Sequence, residues 1–105
     1  MVSEEAVVEA LAKFDDVSSR EEKGWKIFER AGKIFLCVEV GKTPLRLELR
    51  CDRKLSQTLQ ERYESVMESR ALGCNGIEII CSGQLTDDEI MDLIRHAYEV
   101  STPEL

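Results

Sequence analysis

No run of this chain is apolar for long enough to cross a bilayer, one histidine stands alone at position 96, and no two cysteines form a C-x-x-C pair. The first absence excludes a membrane-spanning helix, which needs about 20 consecutive apolar residues. The second leaves acid–base chemistry without its commonest side chain: His96, between Arg95 and Ala97, has no Cys, Ser or carboxylate at motif spacing and is expected to be a surface or satisfied helical histidine. The third argues against a zinc knuckle, and no secretory leader pattern precedes Cys37, Cys51, Cys74 and Cys81 to suggest a disulfide framework. A reducing cytoplasm is the expected compartment. Cys37, Cys51 and Cys81 then read as small buried hydrophobes and Cys74 as the exposed thiol of a turn.

Positive charge is also short. Fourteen Lys and Arg against 21 Asp and Glu leave a formal charge of -7, which opposes non-specific binding to nucleic acid because that affinity comes from cations displacing counterions from phosphate. Any nucleic-acid site must be a local basic patch. Only two prolines and six glycines punctuate the chain, and 43% apolar with 33% charged residues is the balance of an ordinary globular domain. At 105 residues, a single domain over 1–105 with one modest core is expected.

Ser3 is a plausible N-cap for a helix over about Glu4 to Phe14, with Ala6, Val7, Ala10, Leu11 and Phe14 at helical spacing. Asp15 to Gly24 is polar and reads as a loop. A meander follows: strands Trp25 to Arg30, Lys33 to Val40 and Leu45 to Arg50, turned by Ala31-Gly32 and Gly41-Lys42-Thr43-Pro44. Asp52 caps a helix carrying Leu55, Leu59 and Tyr63 to about Glu64. Ser65 to Arg70 is a short strand or an extended connection, Gly73-Cys74-Asn75-Gly76 a turn, and Ile77 to Ser82 a strand. Thr86-Asp87-Asp88-Glu89 is a capping box that starts a last helix running to about Val100, with Pro103 preventing continuation. The order helix, three strands, helix, one or two strands, helix predicts an α+β domain on an antiparallel sheet of about four or five strands.

Alternation assigns Ile27, Ile34, Leu36, Val38, Val40, Leu45, Leu47 and Leu49 to a core face. The opposite face collects Lys26, Phe28, Arg30, Phe35, Cys37, Glu39, Arg46, Glu48 and Arg50, with Glu78 and Ile80 from the later strand. Such a surface has the elements of a nucleic-acid platform, Phe28 and Phe35 stacking on bases while Lys26, Arg46 and Arg50 meet phosphates. The competing expectation covers the phenylalanines partly with a terminal helix or loop and has Arg46, Glu48 and Arg50 form cross-strand ion pairs on a solvated face. Asp87, Asp88 and Glu89 are explained by the cap. Glu4, Glu5, Glu9, Asp15 and Asp16 form an acidic cluster that reads as a solvated face, with a hard-cation site as its rarer alternative.

These residues resemble the MmcQ/YjbR family of small bacterial proteins from about Trp25 onward. Trp25, Ile27 and Phe28 resemble its first strand, Gly32-Lys33-Ile34-Phe35 its hairpin, and Leu47-Glu48-Leu49-Arg50-Cys51-Asp52 the strand that ends in a basic residue, cysteine and capping acid. Leu59, Arg62 and Tyr63 continue the pattern. Leu85, Asp87, Asp88, Glu89, Leu93 and Ile94, then His96-Ala97-Tyr98, resemble its closing helix. Ser19 to Lys23 and Cys74 to Gly76 stand where the family usually carries Pro-Phe and His-Trp pairs. The resemblance implies a frataxin/CyaY-like α+β fold and a DNA-binding function. The expectation is therefore a small non-enzymatic DNA-binding module acting through Lys26, Phe28, Phe35, Arg46 and Arg50, with no cofactor, metal or membrane partner. Its alternatives are an acidic module that meets a basic protein partner and, by analogy with the frataxin-like fold, a weak iron binder.

Overall fold

The computed structural model describes residues 2–101. Nine elements follow one another: α1 (Glu4–Leu11), β1 (Val17–Glu22), β2 (Trp25–Arg30), β3 (Lys33–Glu39), β4 (Arg46–Arg50), α2 (Arg53–Arg62), β5 (Val66–Ser69), β6 (Gly73–Ile80) and α3 (Asp87–Glu99). The strands form one antiparallel sheet in the order β1-β2-β3-β4-β6-β5. The α+β expectation holds, with six strands rather than four or five.

Each helix starts where its cap supplies an acceptor for orphan backbone N–H groups. The Ser3 hydroxyl accepts from Ala6 N–H at 3.1 Å, and the Asp52 carboxylate accepts from Lys54 and Leu55 at 3.1 and 3.2 Å. Thr86 and Glu89 close a reciprocal capping box at 3.1 and 2.9 Å. Glu89 is held below the usual carboxylate range by those bonds from Thr86, and secondarily by the Tyr63 hydroxyl. The expected stop at Pro103 lies outside the described residues.

Three readings are corrected. The polar stretch from Asp15 to Gly24 is not a loop: Val17–Glu22 is an edge strand paired residue for residue with β2. Lys23 and Gly24, with φ of 49° and 85°, form a two-residue turn whose twist matches the flanking strands, as Ala31 and Gly32 do in the next hairpin at 53° and 78°. The segment from Gly73 to Gly76 is not a turn either; it begins β6, and the chain reverses at Arg70 to Leu72. Gly76 is required by close approach rather than by turn geometry, because a Cβ there would lie 2.6 Å from the Leu49 carbonyl oxygen. Finally, α1 ends at Leu11, and Phe14 leaves helical spacing to stack on Tyr98 of α3 with ring centroids 3.9 Å apart.

The core lies on one face of the sheet. Leu36, Val38, Leu47, Leu49, Ile77 and Ile79 alternate toward Val7 and Leu11 of α1 and Ile90, Ile94 and Ala97 of α3, with Leu55 and Leu59 of α2 packed against the same cluster. Asp16 fastens its margin. It accepts from the Tyr98 hydroxyl and from Arg30 Nε at 2.7 Å, while the Arg30 guanidinium lies 3.8 Å over the Tyr98 ring. Those two bonds, first from Tyr98 and then from Arg30, lower the Asp16 pKa, and the same Asp16 bond raises that of Tyr98.

Candidate binding face

Among the described residues no helix covers the other face of the sheet, and register determines which residues occupy it. Phe28 pairs with Leu36, Leu36 with Leu49 and Leu49 with Ile77, so Phe28 belongs to the helix-covered face. Ile27 pairs with Cys37, Cys37 with Glu48 and Glu48 with Glu78, which places Ile27 on the open face. The expected phase of β2 is thus inverted. Trp25-Lys26-Ile27-Phe28 has bulky residues at both parities, and only pairing with β3 selects one. A bulge opposite Phe28 and Glu29 also breaks the alternation of β3, and Phe35 turns inward to meet Tyr98 edge-on at 6.0 Å.

The five residues expected to form a nucleic-acid platform are consequently dispersed. Phe28 is 4% exposed and Phe35 is fully buried, so neither offers a ring to a base. Lys26 pairs with Val38 on the helix-covered face. Arg46 and Arg50 remain on the open face, but Arg46 donates to Glu78 at 2.6 Å and Arg50 donates twice to the Ile34 carbonyl at 2.8 and 3.0 Å. Arg30, also assigned to that face, belongs to the Tyr98 network instead. Of the cross-strand ion pairs in the competing expectation, Arg46 forms one, with Glu78, while among the described residues Glu48 and Arg50 form none.

Carboxylates hold the centre of the open face. Glu78 is fully buried between Arg46 and Arg70, the latter donating at 3.1 Å. Its in-register neighbour Glu48 is 4% exposed and, among the described residues, has no ion pair within 4 Å; the Ser69 hydroxyl at 2.7 Å and the Ala71 N–H at 3.0 Å both donate to Oε1. Trp25, Ile27, Met67 and Ile80 stand half-buried around this centre, and Arg20 of β1 bonds Glu29 and approaches Glu22 at 3.4 Å. Two concavities open here. One, of about 330 Å³, is lined by Glu39, Lys42, Thr43, Pro44, Arg46 and Ile80. The other, of about 250 Å³, is lined by Glu22, Lys23, Trp25, Ile27, Cys37, Glu48 and Ala71.

A further groove of about 260 Å³ lies between α2 and α3, where Leu55, Leu59, Leu85 and Leu93 are edged by Glu89, Asp92 and His96. His96 Nε2 accepts from the Asp52 N–H at 3.2 Å, so the single histidine ties α3 to the start of α2. Among the described residues no three His, Cys, Asp or Glu side chains converge on a metal position, and the acids of α1 form no such site. Cys37, Cys51 and Cys81 are buried and pushed up to about 11 by that burial; Cys74 is exposed. No described helix is long and apolar enough to cross a membrane.

Sequence reasoning missed the second concavity. Trp25 and Ile27 were separable from Phe28 only by register, and Glu48 between two leucines has the same pattern whether its carboxyl faces water or a buried hydroxyl. No family model and no curated protein matches the chain. Solved structures share its fold, two of them as follows. The Deinococcus radiodurans protein DR2400, which has a DUF419 domain, matches with a TM-score of 0.85 at 15% identity over 95% of this chain and 78% of that one. A Pseudomonas syringae protein matches with a TM-score of 0.77 at 13% identity over 96% of this chain and 100% of that one. At these identities the likeness establishes the α+β fold; DUF419 falls within the MmcQ/YjbR-like cluster.

Proposed function

We propose that this protein is a non-enzymatic, MmcQ/YjbR-like binding module that engages a basic protein segment over the open face of its sheet. The observation that supports this reading best is the make-up of that face: half-buried Trp25, Ile27, Met67 and Ile80, with no helix over them, interspersed with Glu22, Glu39, Glu48 and Glu78. Apolar area ringed by acids suits a partner that brings methylene groups and positive charge together. The charge of -7 adds long-range attraction for such a partner. A cytoplasmic setting belongs to the same reading, since all four thiols are free.

DNA binding has less support. With Phe28 and Phe35 in the core and Arg46 and Arg50 engaged by protein acceptors, phosphate approaching the open face would meet mainly carboxylates. The discriminating measurement is amide-shift mapping by NMR during titration with a lysine-rich peptide and, separately, with single- and double-stranded DNA, each at two salt concentrations. Shifts across β2, β3, β4 and β6 with the peptide are expected. Peptide-induced shifts confined to α2 and α3, or saturable binding of DNA alone, would overturn the reading.

A further inference from the structure

The concavity beside Trp25 is lined by a carboxylate that the fold bonds on one oxygen only. Glu48 is 4% exposed, and both of its hydrogen bonds, from Ser69 Oγ and Ala71 N–H, fall on Oε1. Oε2 has no partner among the described residues. It is not among the fully buried unpartnered side-chain atoms of the described residues, which are Glu39 Oε2 and Arg46 Nε, so it keeps contact with solvent and is open to a donor from outside. The neighbouring Glu78 contacts Arg46 and Arg70, whereas Glu48, in register with it on the adjacent strand, has no ion pair within 4 Å among the described residues and feels Arg70 only at longer range. The acid without a contacting cation is the one that lines an open pocket, and Trp25 and Ile27 form that pocket's apolar wall with Glu22 among its lining residues.

From this we infer that the pocket bounded by Trp25, Ile27, Glu22 and Glu48 receives an alkylammonium group, supplied by a lysine side chain of the basic partner. The inference rests on the proposed function and specifies its anchor. Three features select the chemistry. Methylene groups would pack on Trp25 and Ile27, while the indole face attracts a cation held within about 6 Å of its ring. The ammonium would meet Glu48 Oε2 at the pocket floor. Arginine is disfavoured because its fork is best matched by two free carboxylate oxygens, and Oε1 is already occupied by two donors; an ammonium is a point charge that needs one. Lys23, which also lines the pocket, and Arg20, beside Glu22, oppose the incoming charge and limit its affinity.

Trp25 is the only tryptophan in the chain and therefore reports on its own pocket. Titrating the 105-residue protein with Nα-acetyl-lysine methylamide should give a saturable change in Trp25 fluorescence, with a dissociation constant on the order of millimolar as befits one side chain. The Nε-acetylated derivative should give none, and the arginine analogue should bind more weakly. Glu48→Gln, which retains an Oε1 acceptor for Ser69 and Ala71, should weaken binding at least about tenfold, the loss of one charge-assisted contact. Lys23→Glu, on an exposed turn and independent of the folding of Glu48→Gln, should tighten it several-fold.

Equal response to the Nε-acetylated compound, no saturable change, or indifference to Lys23→Glu would overturn the assignment. A free diamine binding more tightly than a lysine-containing peptide would overturn the partner side chain as its source. If the lysine-rich peptide shifts the whole open face while the isolated amine leaves Trp25 unchanged, the pocket assignment fails and the module reading stands. If the amine binds and the peptide leaves the face unperturbed, the module reading fails instead.

Discussion

The two faces of this sheet reach the same depth of burial by different chemistry. On β4, Leu47 and Leu49 are fully buried under helices, and Glu48 between them is 4% exposed on the side that no described helix covers. The helix-covered face is closed by non-directional apolar packing, which needs area and shape. The open face is closed by its own side chains and the Arg70 to Leu72 turn, and it is stable only where each polar atom finds its partner. Glu78 finds two arginines. Glu48 finds donors for one oxygen, the other keeping contact with solvent beside a pocket, while the fully buried unpartnered atoms among the described residues are Glu39 Oε2 and Arg46 Nε.

The contrast predicts a ranked set of effects. Leu49→Ala should lose the most, about 3 kcal/mol by chemical denaturation, because it opens a cavity against helices that relax only partly. Loss of less than about 1 kcal/mol would mean the covered face is less tightly packed than its burial indicates.

Alkaline pH should come next. Burial raises Cys37, Cys51 and Cys81 from 9.0 to about 11, so the unfolded thiols ionise first, and their contribution to stability is complete below pH 9 and falls as pH rises from 9 to 11. Between pH 8 and pH 10 a loss of roughly 1 kcal/mol per thiol is expected, and Cys→Ala variants on each face should divide it. An unchanged denaturation midpoint at pH 10 would contradict the burial of all three.

Gly76→Ala should cost about 2 kcal/mol, since its Cβ would meet the Leu49 carbonyl oxygen and the Leu72 side chain, each within 3 Å. An Ala variant as stable as the parent would show that the Leu72 turn yields freely.

Glu48→Gln should move stability the other way, gaining up to about 1 kcal/mol at neutral pH by relieving repulsion with Glu78 while retaining its two hydrogen bonds; strained binding sites trade stability in this manner. A destabilisation of similar size would instead assign Glu48 a purely structural role. Smallest of all, Arg20→Ala on the exposed β1 edge should change stability by less than about 0.5 kcal/mol despite its contacts with Glu22 and Glu29, because side-chain entropy and solvent screening nearly cancel exposed pairs. A larger loss would mean that β1 depends on that pair for docking.

How legible each part was follows from the range of the forces involved. The caps at Ser3, Asp52 and Thr86 were readable because a cap is settled within three residues. The meander was readable from alternation and its turns. β1 was not, because Val17–Glu22 has almost no apolar alternation and is held by backbone pairing with β2, a contact that side-chain patterns do not encode. The candidate face was legible in its cations and acids but not in its pairing. Lys26, Phe28 and Phe35 were assigned to the wrong side because one inverted strand and one bulge move whole side chains through the sheet.

By itself, then, the amino-acid order determined the helices, their starts, four of the six strands and the α+β class, all properties of short windows with local energies of about a kcal/mol per feature. Only the tertiary structure decided which alternation in β2 is buried, that Asn75-Gly76 lies in a strand, and that Glu48 keeps an oxygen unpaired beside Trp25. Those outcomes depend on strand register and the approach of Ser69 and Ala71 from elsewhere in the chain, and a sequence window contains neither.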